Sequence, residues 1–147
     1  MRELCRFGAQ VAAMIIAGLA VAACGESPTA PLAFAPYSEQ DLRLGEGTAA
    51  VSNSIVSVRY TLWLYDADAT DHKGPMVESN VTAAEPFTFR LSNFSVIAGF
   101  DDGVTGMLEG GLRRVTVPPS LGYGGVRNGS IPPSSTLVFE IELIDVA

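Results

Sequence analysis

The C-terminal stretch from Leu137 to Ile144 alternates strictly between two sets of side chains. Such a period of two is typical of a β-strand that buries one face and leaves the other near solvent. The stretch therefore predicts a half-buried strand, and with it a fold built on a sheet. The inward face would carry Leu137, Phe139, Ile141 and Leu143, and the outward face Val138, Glu140, Glu142 and Ile144.

The segment before this strand is a polar loop that begins with Tyr123 among glycines and turns at Ile131-Pro132-Pro133. It places a phenol and an isoleucine beside a strand whose inward face carries a phenylalanine. Ligand pockets are commonly lined by apolar side chains with a few polar groups. The combination predicts that the loop and the strand line an apolar pocket that contains one polar group, the phenol.

Three further segments alternate and predict strands: Ile55–Tyr65, Phe87–Leu91 and Leu112–Val117. One segment, from Val96 to about Met107, has a helical stripe, preceded by Ser92–Ser95, whose side chains favour a helix start. Its three glycines lower helix propensity, so we expect a short helix held by packing. The predicted fold class is α+β, a curved antiparallel β-sheet wrapped around one short α-helix.

The N-terminus reads as a secretory signal peptide over residues 1–23, with two arginines before a short apolar run that ends at Cys24. The run is shorter than the ~20 residues that span a bilayer. Val21-Ala22-Ala23-Cys24 fits a bacterial lipobox, which predicts lipidation of Cys24; ordinary cleavage nearby, with Cys24 incidental, is the alternative. Gly25 is not an inner-membrane retention signal, so we expect an outer-membrane anchor facing the periplasm.

Residues 24–45 are rich in Pro, Ala and Ser and are predicted to be a flexible tether, with residues 46–147 forming one domain. Without residues 1–23 the chain has seven basic and fifteen acidic side chains, a net charge near −8. No basic cluster is available for phosphates, so we expect no nucleic-acid partner. We expect a monomer.

The domain has one histidine, in a loop, and no cysteine, which argues against triad hydrolysis and most covalent catalysis. The loop Asp66–Pro75 has three aspartates and His72, but its spacing matches no calcium loop. We therefore expect neither a metal nor another cofactor. An enzyme of this composition would have to work through the environment it gives its substrate.

Several of these segments, in order over about residues 45–147, resemble the FKBP-type peptidyl-prolyl isomerases, the immunophilins that bind tacrolimus and rapamycin. They are Tyr123-Gly124 followed by Pro132-Pro133 and Thr136–Leu143, Val58–Thr61, and Pro86–Leu91 with Val96–Val104. The resemblance implies X-Pro segments of unfolded or partly folded proteins as substrates and macrolides as ligands. It also implies an FKBP-like fold.

The resemblance assigns roles to matching positions. It implies a main-chain donor at Ile97, a hydroxyl donor at Tyr123, a ring under the proline at Phe100, and Ile131 closing over the proline. The catalytic set implied is Tyr60, Glu78, Phe100 and Tyr123, and the substrate-binding set is Val77, Phe87, Val96, Ile97, Ile131 and Phe139.

This chain departs from the family pattern at Val77-Glu78, where relatives usually have Phe-Asp, and at Thr82-Ala83-Ala84, where relatives often place an arginine that pairs with the acid. We expect these departures to affect turnover and macrolide binding more than the fold. Two other functions therefore stay open. One is a chaperone or peptide-binding module with little catalysis, and the other is a structural envelope lipoprotein.

Overall fold

The structure is a computed structural model that describes residues 34–147. The predicted signal peptide, the lipobox at Cys24 and the first part of the tether lie outside the described residues. The elements are β1 (Ser38–Arg43), β2 (Ile55–Tyr65), β3 (Lys73–Ser79), β4 (Phe87–Arg90), α1 (Ala98–Val104), β5 (Leu112–Val117) and β6 (Leu137–Val146). Within residues 34–147, no helix is long and apolar enough to cross a bilayer.

The six strands form one antiparallel sheet with the order β1, β5, β6, β2. β3 and β4 share the far edge of β2: β4 pairs with its first half, at Ile55–Val58, and β3 pairs with its second half, from Thr61 to Tyr65. β6 runs along almost the whole of β2, from Val56 to Leu64. With α1, this arrangement confirms the predicted α+β fold class of a curved antiparallel sheet and one short helix.

The two central strands bury the faces that their alternation predicted. On β6, Leu137, Ile141 and Leu143 are 0% exposed and Phe139 is 4% exposed. On β2 the buried side chains are Val56, Val58 and Leu62, with Tyr60 and Leu64 partly buried against the same core. On the opposite face of the sheet, Glu140 accepts hydrogen bonds from Lys73 and Arg114, each at 2.8 Å, whereas Val138 is 0% exposed and not near solvent as its outward position predicted.

The glycines of α1 allow the helix to lie directly against β5. A Cβ atom added at Gly99 would lie 2.4 Å from Cγ1 of Val117, and one added at Gly103 would lie 2.6 Å from Cγ2 of Val115. These distances are far below the ~3.5 Å at which non-bonded carbons make favourable contact. The glycines that weaken the helix in isolation are therefore what lets it pack, as expected for a helix held by its surroundings.

The helix is shorter than predicted. It spans Ala98–Val104, with Ile97 as its N-cap and no side-chain capping bond, so the predicted start chemistry at Ser92–Ser95 is wrong. The reason lies in the backbone: Ser92 and Phe94 have left-handed φ values of 59° and 53°, which turn the chain before the helix begins. Both carboxylate oxygens of Asp101 instead accept the Ser92 N–H, at 3.0 Å.

The predicted tether, residues 24–45, is wrong over Ser38–Arg43. These residues form β1, which pairs with β5 at the edge of the sheet. Arg113 on β5 secures the strand, donating to Asp41 at 2.7 Å and to Glu39 at 3.0 Å. The same guanidinium also donates to the carbonyl oxygens of Gly103 and Thr105, so it joins β1 to the C-terminal end of α1.

Alanine at the helix–sheet contact tests this packing. We expect Gly99→Ala to lower the free energy of unfolding by about 1–3 kcal/mol, because the new methyl group forces α1 away from Val117. Gly125→Ala is the matched control: nothing lies within 4 Å of its added Cβ, and the change should stay below ~1 kcal/mol. Equal denaturant midpoints for the two variants would contradict the close packing.

Candidate active site

A cavity of about 210 Å³ opens between β2, β3 and the start of α1. Eight of the ten residues that the sequence singled out line it, and Leu62 and Ser95 complete the lining. The eight come from separate parts of the chain, so the fold brings together what the resemblance had only placed in order. They are Tyr60, Glu78, Phe87, Val96, Ile97, Phe100, Tyr123 and Phe139.

The floor of the cavity is a cluster of aromatic rings that meet edge to face. The ring centroids of Tyr60 and Phe100 lie 5.3 Å apart at 74°, and those of Phe100 and Phe139 lie 5.1 Å apart at 72°. Phe87 meets Tyr60 in the same manner, at 6.1 Å and 71°. This geometry is favourable for aromatic pairs. Phe100 and Phe139 are each 4% exposed, so the floor is formed by nearly buried rings.

The polar side of the cavity carries two phenols and one carboxylate. The Tyr60 hydroxyl donates to Oε1 of Glu78 at 2.6 Å, so the glutamate reaches the phenol although it is one methylene longer than the family's aspartate. Burial, followed by the hydrogen bond to Glu78, raises the pKa of Tyr60 well above its ordinary value. Burial and the Glu78 charge also raise the pKa of Tyr123, which the nearby Asn128 amide offsets in part. Both phenols are therefore protonated at neutral pH.

The side chain of Asn80 fixes the backbone on which Tyr60 sits, a role that the sequence analysis missed. It lies where the outer edge of β2 passes from β4 to β3. Its Oδ1 accepts the Tyr60 N–H at 2.6 Å, and its Nδ2 donates to the Val58 carbonyl at 3.2 Å. The side chain thus satisfies two strand groups that a backbone partner would otherwise satisfy.

Arg59 holds the loop that follows β3. Its Nη1 donates to the carbonyl oxygens of Asn80, Val81 and Ala83, at 3.2, 2.9 and 2.9 Å. The resemblance indicated that this loop lacks the family's arginine. Here an arginine from β2 binds the loop, but it bonds to main-chain oxygens and not to the acid.

Val77 and Ile131 are the two predicted site residues that do not line the main cavity. They line an adjoining hollow, which shares Leu62, Glu78 and Tyr123 with the main cavity. Ile131 is 4% exposed and packs against the core. The loop that carries it is closed by paired hydrogen bonds between the Asn128 and Ile131 main chains, at 3.1 and 2.9 Å.

The main chain of Ile97 offers a donor at the cavity wall. Its carbonyl accepts the N–H groups of Phe100 and Asp101, at 3.0 and 3.1 Å, in the first turn of α1. Its own N–H finds no acceptor among residues 34–147. This is usual for an N–H group at the start of a helix, and it leaves the group available to a ligand.

Leu62 and Ser95, the two lining residues that were not predicted, differ in how strong a signal the sequence carries for them. Leu62 shares a face of β2 with Tyr60, so the alternation alone could have added it. Ser95 has no such signal, because it belongs to an irregular turn. Among the described residues, no three His, Cys, Asp or Glu side chains group as a metal site would require.

Comparison with known proteins finds a matching family and similar relatives. Residues 46–144 match the family model described as FKBP-type peptidyl-prolyl cis-trans isomerase. An FK506-binding protein of Neisseria meningitidis serogroup B is 40% identical over 108 residues, which cover 73% of this chain and 93% of that protein.

Two crystal structures are similar in fold. FkpA from Escherichia coli superposes with a TM-score of 0.64 at 35% identity, covering 75% of this chain and 47% of that chain. AtFKBP13 superposes with a TM-score of 0.61 at 33% identity, covering 76% of this chain and 93% of that chain. With the family model matching residues 46–144 of 147, the chain belongs to the FKBP-type peptidyl-prolyl cis-trans isomerase family.

Proposed function

We propose that this chain catalyses cis/trans isomerisation of X-Pro bonds in unfolded or partly folded exported proteins, with the aromatic cavity as the proline site. The observation that carries the proposal is the convergence of Tyr60, Phe100, Tyr123 and Phe139 on one hollow. Membership of the family indicates the reaction, and we infer that the substrate binds in the hollow.

The reaction needs no nucleophile. Rotation about a peptide bond is opposed by a resonance barrier of about 18–20 kcal/mol. The planar amide is more charge-separated than the twisted one, so water stabilises the ground state more. A dry aromatic floor removes that advantage and favours the twisted form by shape. A thousandfold acceleration requires only about 4 kcal/mol, which desolvation and one or two hydrogen bonds can supply.

Each lining residue has a role in this proposal. The proline ring rests on Phe100, between the walls formed by Phe87 and Val96. The Ile97 N–H and the Tyr123 hydroxyl donate to substrate carbonyls on either side of the rotating bond. The Tyr60 hydroxyl is already engaged by Glu78 at 2.6 Å, so that pair holds the Tyr60 ring in place.

The setting of the activity is the second part of the proposal. The apolar run before Cys24 supports export and lipidation, and two or more acyl chains give stable attachment to a membrane. The domain would then act as a monomer on envelope proteins, at the periplasmic face of the outer membrane. Macrolides of the tacrolimus type would compete for the same hollow.

The isomerase assay tests the function directly. We expect acceleration of cis/trans exchange in an X-Pro peptide, with kcat/KM about five- to tenfold lower in Tyr123→Phe, because one hydrogen bond to the substrate is lost. The free energy of unfolding should change by less than ~1 kcal/mol. Tyr65→Phe, outside the cavity, is the control and should keep full turnover.

Two outcomes would count against the assignment. A Tyr123→Phe variant that loses turnover and stability together would remove the hydroxyl's role in binding substrate. Peptide binding without measurable exchange in a folded protein would instead favour the peptide-binding module.

The raised pKa of Tyr60 gives a spectroscopic prediction. An ordinary phenol is about half ionised at pH 10. Because Tyr60 stays protonated there, Tyr60→Phe should leave the tyrosinate absorbance of the folded protein at pH 10 unchanged. In guanidinium chloride the same substitution should remove the contribution of one of the four tyrosines. A loss of signal in the folded protein would show that the phenol ionises freely.

Lipidation is tested at Cys24. Wild-type protein expressed in a Gram-negative host should incorporate labelled palmitate and sediment with the outer membrane, and Cys24→Ser should do neither, because the acylated thiol is gone. Cys5→Ser is the control, since Cys5 lies within the predicted signal peptide. Membrane attachment that survives Cys24→Ser would exclude the lipobox.

A further inference from the structure

Phe94 combines two features that are unusual for a phenylalanine. Its side chain is 99% exposed, the highest value among the large apolar residues of the described chain. Its backbone has a φ of 53°, in the left-handed region that bulky residues rarely adopt. Such a conformation is strained and is concentrated at functional sites.

The loop between β4 and α1 holds Phe94 in this position from both sides. Before it, the Ser92 N–H is bound by both carboxylate oxygens of Asp101, at 3.0 Å. After it, Ser95, Val96 and Ile97 line the proline cavity. The phenyl group is therefore presented on an anchored turn, one residue from the cavity wall.

Other exposed apolar side chains follow cavity residues in sequence. Val81, 51% exposed, comes three positions after Glu78, in the loop that Arg59 binds, and Val126, 71% exposed, comes three positions after Tyr123. Phe87 is 39% exposed and belongs to the cavity wall itself.

We propose that Phe94 is the contact of a second subsite, which takes a large apolar side chain of the client outside the X-Pro pair. This inference rests on the proposed function, because the client's proline occupies the adjoining cavity. The occupant is an extended, unfolded segment, since a folded client would bury such side chains in its own core. Phe94 directly precedes the cavity residue Ser95, and an extended chain advances about 3.3–3.6 Å per residue, so we place the side chain that it contacts within a few residues of the proline.

A peptide series tests the subsite. Each peptide has Ala-Pro in a Gly-Ser background, with one phenylalanine at a single position within three residues on either side; the parent has none. Binding is measured by fluorescence anisotropy and exchange by NMR. Phe94→Asn removes the ring, and asparagine tolerates the left-handed backbone, so the loop is kept. Phe94→Leu is the conservative variant.

Leu44→Asn is the matched control. Leu44 is 75% exposed and lines a separate hollow beside β1 and β5, so it also loses an exposed apolar side chain. We expect phenylalanine at one peptide position to tighten wild-type binding about five- to tenfold, as partial cover of one phenyl group implies. Phe94→Asn should abolish that gain, Phe94→Leu should keep part of it, and Leu44→Asn should keep all of it.

The subsite is excluded if Phe94→Asn retains the gain or if no position produces one, whatever the rate of exchange. A gain that depends on Phe94 without exchange in any peptide would support the subsite and overturn the isomerase function. Exchange with no such gain would do the reverse.

Discussion

The contact between α1 and β5 sets the geometry on which the site depends. Gly99 and Gly103 bring the helix backbone against Val117 and Val115, closer than any other residue would allow. Phe100 lies between these glycines in sequence and points to the aromatic floor, 5.3 Å from Tyr60 and 5.1 Å from Phe139. If the helix stood further from the sheet, the ring of Phe100 would move away from Tyr60 and Phe139.

Tyr60 is the second feature on which the geometry of the site depends. Its ring belongs to the floor, its hydroxyl binds Glu78, and its main chain is held by Asn80 at the place where β2 changes partners. Tyr60 therefore takes part in the strand pairing, in the contact with the loop residue Asn80 and in the polar side of the cavity. Because Glu78 engages the Tyr60 hydroxyl, the proposed function assigns substrate binding to the hydroxyl of Tyr123 and the N–H of Ile97.

Much of the fold was visible in the sequence because buried strands leave an alternating pattern. β2, β5 and β6 carry that pattern, whereas most of the cavity residues lie outside these strands and were assigned by the family resemblance. β1 could not be found this way, since all six of its residues are exposed and its edge position imposes no alternation. The helix start was misplaced because left-handed backbone at Ser92 and Phe94 has no sequence signature when the residues are not glycine. Asn80 and Arg59 act through bonds to main-chain atoms, which composition and periodicity do not register.

The position of β1 has a practical consequence for recombinant work on this domain. The family match starts at residue 46, which would make that residue a natural place to begin an expression fragment. Such a fragment would strip the outer edge of β5 and leave Arg113 facing solvent without Glu39 and Asp41. A bare strand edge is a template for intermolecular pairing, so the shortened protein would be prone to self-association. Cloning from residue 34 keeps the edge covered.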